Sequence, residues 1–124
     1  MLFVCYPNCS TCKKARAWLE SQGIPFAERN IKTENPTREE LARWQKASGL
    51  PLKRFFNTSG QQYRALGLKE KLPAMTEEEQ LELLSSNGML VKRPLLVGEN
   101  AMLVGFRPQE WEKAVGAIAK AEQK

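Results

Sequence analysis

Cys9-Ser10-Thr11-Cys12 sets two thiols one helical turn apart. An apolar run, Met1 to Val4, and a turn signal, Pro7-Asn8, precede the pair, and a helical pattern from Lys13 to Ser21 follows it. A thiol at a helix start meets unpaired N–H groups and the positive end of the helix dipole. Both favour the thiolate, which is the reactive form. The spacing predicts a redox-active dithiol. Cys9 is the expected nucleophile. Cys12 is the expected resolving thiol, which attacks a mixed disulfide on Cys9 and releases the partner. A structural zinc site needs four donors. Cys5, Cys9 and Cys12 are three, and the chain has no histidine, so no metal is expected. The lack of histidine also excludes Cys–His and Ser–His nucleophile pairs. Cys5 lies in the first strand pattern and reads as a small core hydrophobe.

The elements that position this pair are legible from periodicity. Leu2 to Tyr6 reads as a short buried strand, and Ala15, Trp18 and Leu19 mark one face of the helix that ends near Gly23. Ile24 to Arg29 reads as a second strand, with Pro25 at its first position or edge. Strand, helix and strand in so few residues predict a right-handed parallel βαβ unit. Asn35 to Glu40 opens a helix, with Thr37 or Asn35 as cap and Glu40 three residues after Thr37. Leu41, Trp44 and Gln45 continue it to Gly49. Asn57-Thr58-Ser59-Gly60 is a turn or cap, followed by a short helical pattern from Tyr63 to Leu68. Met75 to Glu79 opens another helix, with Leu81, Leu83 and Leu84 inward and Asn87-Gly88 closing it. Leu95 to Val97, the turn Gly98-Glu99-Asn100, and Met102 to Phe106 give a hairpin signal. A last helix starts at Pro108, with Trp111, Val115 and Ile118 on one face. Trp18, Trp44 and Trp111 all fall at helical spacing with other apolar residues and read as packing. The order is βαβ, a helical insertion at about residues 36–88, then ββα. That is the thioredoxin-type order, an α/β fold with a central mixed four-stranded sheet, in a single domain over 1–124.

Composition bounds the function. A chain of 124 residues suits one domain with a modest core. With 19 basic and 14 acidic residues the formal charge is +5. That charge suits oxyanions, glutathione-like thiols or acidic protein faces, or serves solubility alone. Basic residues are scattered, with no long Lys/Arg run and no basic–aromatic stripe, which argues against nucleic acid. Lys13 and Lys14 oppose the dipole of a first helical turn. They either assist the thiolate and recruit acidic partners or are simply solvated. No segment reaches the ~18 consecutive apolar residues of a membrane span. Met1 to Cys5 is too short for a signal sequence. Three cysteines are too few for a secreted disulfide scaffold. A cytoplasmic monomer is expected.

The cysteine loop Tyr6 to Ala15, the segment Phe55 to Gly60, the Tyr63-x-x-Leu66-Gly67-Leu68 spacing and Lys92-Arg93-Pro94-Leu95 together carry a resemblance over nearly the whole chain. The chain resembles the arsenate reductase-like and Spx-like branch of the thioredoxin fold, nearest its small arsenate reductase-like members. In the branch's glutaredoxin-coupled reductases one cysteine attacks an arsenic oxyanion that three arginines hold. The resemblance puts the nucleophile on Cys9 and two of the arginines on Arg93 and Arg107. The third position falls on Asn57, with Lys53 and Arg54 nearby in sequence. It also implies a cis Pro94 facing the cysteine loop, which would turn Arg93 toward the thiol, to lower its pKa and bind an anion. For Arg107, a cation at the start of the last helix opposes the dipole, and anion binding would explain its place. Cys12 is a feature of the Spx-like proteins. The phosphatase-like reductases instead need a cysteine, five residues and an arginine. Cys5, Cys9 and Cys12 lead to Thr11, Ala15 and Trp18, so that pattern fails.

The expected function is a thiol-disulfide oxidoreductase or arsenate reductase-like protein. Arsenate is a possible substrate rather than the favoured one, because of Asn57. No bound cofactor is expected. Glutathione or another thiol serves as co-substrate, with glutaredoxin or thioredoxin as possible partners. The alternative is an Spx-like redox-sensing regulator that binds RNA polymerase.

Overall fold

The computed structural model describes residues 1–99 and 101–122, with side chains through Gly116 apart from Asn100. Asn100, expected in the hairpin turn, and the side chain of Ile118, expected on the last helix's inner face, lie outside the described residues.

Two compact units form: Met1–Asn30 with Arg93–Lys124, and Ile31–Lys92. The first holds the sheet. Its strands are β1 (Leu2–Cys5), β2 (Ala27–Asn30), β3 (Leu95–Val97) and β4 (Met102–Val104). The spatial order is β2-β1-β3-β4, with β1 parallel to β2 and antiparallel to β3, and β3 antiparallel to β4. The fold is therefore α/β, thioredoxin-like, with the expected mixed four-stranded sheet.

Alternation along β1 sorts its side chains by face. Phe3 pairs with Leu96 and Val4 with Leu95 in the register. Phe3, Cys5 and Leu96 join Cys12, Ala15 and Leu19 of α1 (Ser10–Ser21) and Trp111 and Val115 of α6 (Pro108–Glu122) in one buried cluster. The two helices thus pack on one face of the sheet. Trp111 is buried as expected, whereas Trp18 is half-buried at the cluster's edge. The Trp111 ring meets Phe106 at 4.9 Å and Trp18 at 6.0 Å, both edge-on.

Several boundaries differ from the sequence reading, among them the single pattern from Tyr63 to Leu68, which forms two short helices, Gln61–Ala65 and Leu68–Lys71. Helix α1 begins at Ser10, so Cys12 lies inside its first turn. Strand β2 starts at Ala27, beyond Pro25. Proline has no N–H to give a ladder, and Ile24 and Phe26 instead pack on the buried cluster. Strand β4 stops at Val104 because Gly105 takes φ +75°, a left-handed conformation that turns the chain toward α6.

The second unit is helical. It holds α2 (Arg38–Ser48), α3 (Gln61–Ala65), α4 (Leu68–Lys71) and α5 (Glu77–Ser86), joined by short 3₁₀ turns. Thr37 caps α2 and Thr76 caps α5, each in a full capping box with Glu40 or Glu79. Gly49 ends α2 at φ +69°. On α5 only Leu84 is fully buried, while Leu81 and Leu83 are half-buried. Trp44 is buried in this unit. An isolated antiparallel bridge, Phe56 to Val91, joins the middle of this unit to its end, a pairing with no local sequence signal.

Candidate active site

Cys9 is the N-cap residue of α1, with extended backbone (φ −87°, ψ 123°). Its carbonyl accepts from the Lys13 N–H at 3.0 Å, and its own N–H donates to the Tyr6 carbonyl at 2.9 Å. These bonds fix the Pro7-Asn8 turn and set Cys9 at the N-terminal end of the helix. Burial alone pushes the Cys9 thiol up. The Cys12 N–H, the Cys12 thiol, the Thr11 N–H and the Arg93 guanidinium outweigh it, and the thiol is held below its ordinary value. Cys9 is partly exposed, whereas Cys12 is fully buried. All three cysteines are free thiols.

Cys12 has the opposite character. Its hydrogen bond to Cys5 and its burial push the thiol far up, and the neighbouring Cys9 adds to the effect. The Tyr6 N–H donates to the Cys12 sulfur at 3.4 Å.

Arg93 comes from the other end of the sequence, just before β3. The Arg93–Pro94 peptide is cis. The guanidinium lies 5.4 Å from the centre of the Tyr6 ring and is one of the groups that lower the Cys9 thiol. Its Nε and Nη1 are buried with no hydrogen-bond partner. Pro94 is buried, and its carbonyl accepts from the Gly105 N–H at 2.8 Å.

The structure thus brings Cys9, Cys12 and Arg93 together. Arg107 is different. Its side chain is 64% exposed and pairs with Glu110 at 3.4 Å on the first turn of α6. That carboxylate is a simpler answer to the cation at this helix start than a bound anion. Asn57 belongs to the helical unit, where its N–H donates to the Leu90 carbonyl at 2.8 Å. Lys13 and Lys14 are exposed.

Sequence reasoning missed two members of the neighbourhood. Arg16 donates from Nη2 to the Cys5 sulfur at 3.6 Å. It also grips Glu28 of β2 through a two-pronged fork, at 2.7 and 2.8 Å. Tyr6 offers its ring to Arg93. The available signal for Arg16 was its place four residues after Cys12, on the same helical face. Among the described residues, no helix is long and apolar enough to cross a membrane, and no group of three or more His, Cys, Asp or Glu side chains could hold a metal.

Fold and site define a thioredoxin-like protein with a cysteine pair at the mouth of its first helix. The ArsC family pattern matches residues 5–114, and the chain belongs to that family. Among solved structures, a putative ArsC family related protein from Bacteroides fragilis is 59% identical, with a TM-score of 0.88 over 90% of this chain and 94% of that one. The Bacillus subtilis protein YusI is 50% identical over 91% of this chain and 96% of its own length. The global transcriptional regulator Spx of Enterococcus faecalis is 34% identical over 84% of this chain and 77% of its own length.

Proposed function

We propose that the protein is a cytoplasmic thiol oxidoreductase of the arsenate reductase-like kind, with Cys9 as nucleophile and Cys12 as resolving thiol. The observation that carries this reading is the contrast between neighbouring thiols. Cys9 is partly exposed and easily ionised, while Cys12 is buried and keeps its proton. The Cys9 thiolate attacks a disulfide such as glutathione disulfide, forming a mixed disulfide and expelling one thiolate. Cys12 then attacks the Cys9 sulfur, closes the Cys9–Cys12 disulfide and releases the second thiol. Glutathione, glutaredoxin or thioredoxin reduces that disulfide. Arg93 supports an anionic partner, because two buried guanidinium nitrogens lack an acceptor and such groups are normally satisfied. The glutathione carboxylates and an oxyanion such as arsenate both supply one.

The test is the pH dependence of Cys9 alkylation in the wild type and in Cys12→Ser, with a parallel run in glutathione disulfide. The thiolate should persist below the ordinary thiol value of 9.0, so alkylation should begin at lower pH than for a free thiol. Cys12→Ser should trap one glutathione on Cys9. A free-thiol profile with no adduct would overturn the reading.

A second reading has its own support, the identity to Spx. In it the cysteine pair is a redox sensor on a regulator that binds RNA polymerase. A tagged copy that retains polymerase and turns over no disulfide or arsenate would select it.

A further inference from the structure

We propose that Cys5 is a third redox thiol: once Cys9 and Cys12 are joined, the Cys5 sulfur attacks Cys12, forms a buried Cys5–Cys12 disulfide and returns Cys9 as a free thiol. The inference rests on the reading of Cys9 and Cys12 as an exchanging pair. One S–S bond forms as another breaks. Cys5 is oxidised and Cys9 reduced, and the electron pair leaves with the Cys9 sulfur. The proton that Cys5 gives up matches the one that Cys9 takes, so no outside oxidant is needed for this step.

Three contacts support the relay. Cys5 and Cys9 both push the Cys12 thiol up, which puts Cys12 between them. Cys5 and Cys12 lie fully buried in one cluster, and Cys9 packs against it. The Tyr6 N–H, one residue after Cys5, holds the Cys12 sulfur beside the end of β1 at 3.4 Å.

A cysteine that merely fills the core has no use for a guanidinium, yet Arg16 donates to Cys5 at 3.6 Å. Glu28 holds that guanidinium in place by its fork. The Cys5 thiol is pulled down by the Cys12 hydrogen bond first, and by Arg16, against the opposing effects of burial and Glu28. Once Cys12 is bonded to Cys9 it has no S–H to offer, and the Arg16 guanidinium is the group left to stabilise the attacking Cys5 thiolate. Cys9, ionising easily at the helix mouth, is the better leaving group. The product hides the oxidised bond in the core and leaves Cys9 able to react again.

The experiment follows all three thiols in the full chain. The protein is oxidised with glutathione disulfide, quenched in acid at intervals, unfolded and treated with one alkylating label. It is then reduced and treated with a second label. Fragmentation of the peptide that carries all three cysteines reads which were bonded. At early times Cys9 and Cys12 should carry the second label. Later, Cys5 and Cys12 should carry it, with Cys9 free again in roughly half of the molecules or more.

Cys5→Ala should stop at the Cys9–Cys12 stage. Cys9→Ser, oxidised with diamide, should form the Cys5–Cys12 bond directly, a second readout should Cys5→Ala not fold. If the wild type forms Cys9–Cys12 while Cys5 stays free throughout, the relay is overturned and the exchange reading stands. Two free thiols in oxidised Cys9→Ser also count against the relay. Absence of both the Cys9–Cys12 and the Cys5–Cys12 bond overturns the exchange reading, and the relay with it.

Discussion

Replacing Trp111 with Phe tests how the core holds the site. The indole Nε1–H donates to the Gly105 carbonyl at 2.9 Å, inside the buried cluster. The Gly105 N–H donates in turn to the Pro94 carbonyl at 2.8 Å, and Pro94 follows Arg93. A chain of two hydrogen bonds therefore runs from the first turn of α6 to Pro94, the residue beside Arg93. In Trp111→Phe the Gly105 carbonyl loses its indole donor, at a cost of about 1–3 kcal/mol. The smaller ring leaves a gap of roughly 40 Å³, which adds about 1 kcal/mol at the usual cost of cavity volume. A loss of about 2–4 kcal/mol is expected. For a chain of this size that lowers Tm by roughly 6–20 °C.

Trp18→Phe is the control. Trp18 meets the same aromatic neighbours, at 6.0 and 6.5 Å, but is only half-buried, so it should cost about 1 kcal/mol or less. Urea denaturation gives both values. Alkylation in the folded state should show Cys9 moving toward ordinary thiol behaviour in Trp111→Phe alone, as Arg93 loses its support. Equal costs for the two variants, or a Trp111→Phe cost under about 0.5 kcal/mol, would refute the hydrogen-bond argument.

Two further predictions concern the helical unit. A Cβ on Gly88 would overlap the Ile31 carbonyl oxygen and lie 2.8 Å from its carbon. Backbone cannot swing aside as a side chain can, so Gly88→Ala should destabilise by about 1–3 kcal/mol, read as a lower denaturation midpoint. An unchanged midpoint would show that this approach is relaxed at little cost. Thr76→Ala should cost about 1 kcal/mol through its lost cap, with Thr76→Ser recovering most of it. The Thr76 N–H, then its hydroxyl, holds the Glu79 carboxyl below its ordinary value of 4.5. The resulting stability is present above that value and lost as pH falls through the lowered one. Acid denaturation should therefore be shallower in Glu79→Gln, which lacks the titrating carboxyl, than in the wild type, and matching acid limbs would rule the linkage out.

The sequence by itself determined the order of elements, because hydrophobic period and capping chemistry are local. Thr37 and Glu40 announce α2, and Thr76 and Glu79 announce α5, before any packing is known. The Cys-x-x-Cys at a strand-to-helix turn likewise marked Cys9 and Cys12, since the helix start that lowers the Cys9 thiol is a local feature. Arg93 was found through resemblance, not through any local property.

Tertiary structure decided what depends on approach across the chain. It aimed Arg93 at Cys9 from more than half the sequence away, and it paired Arg107 with Glu110, which leaves that arginine facing solvent. It set Arg16 between Glu28 and Cys5, turning an expected core filler into a polar contact. No pattern in one segment encodes these meetings. They follow from the sheet register and from helices α1 and α6 sharing one face, where burial strengthens each polar contact and makes its partner count.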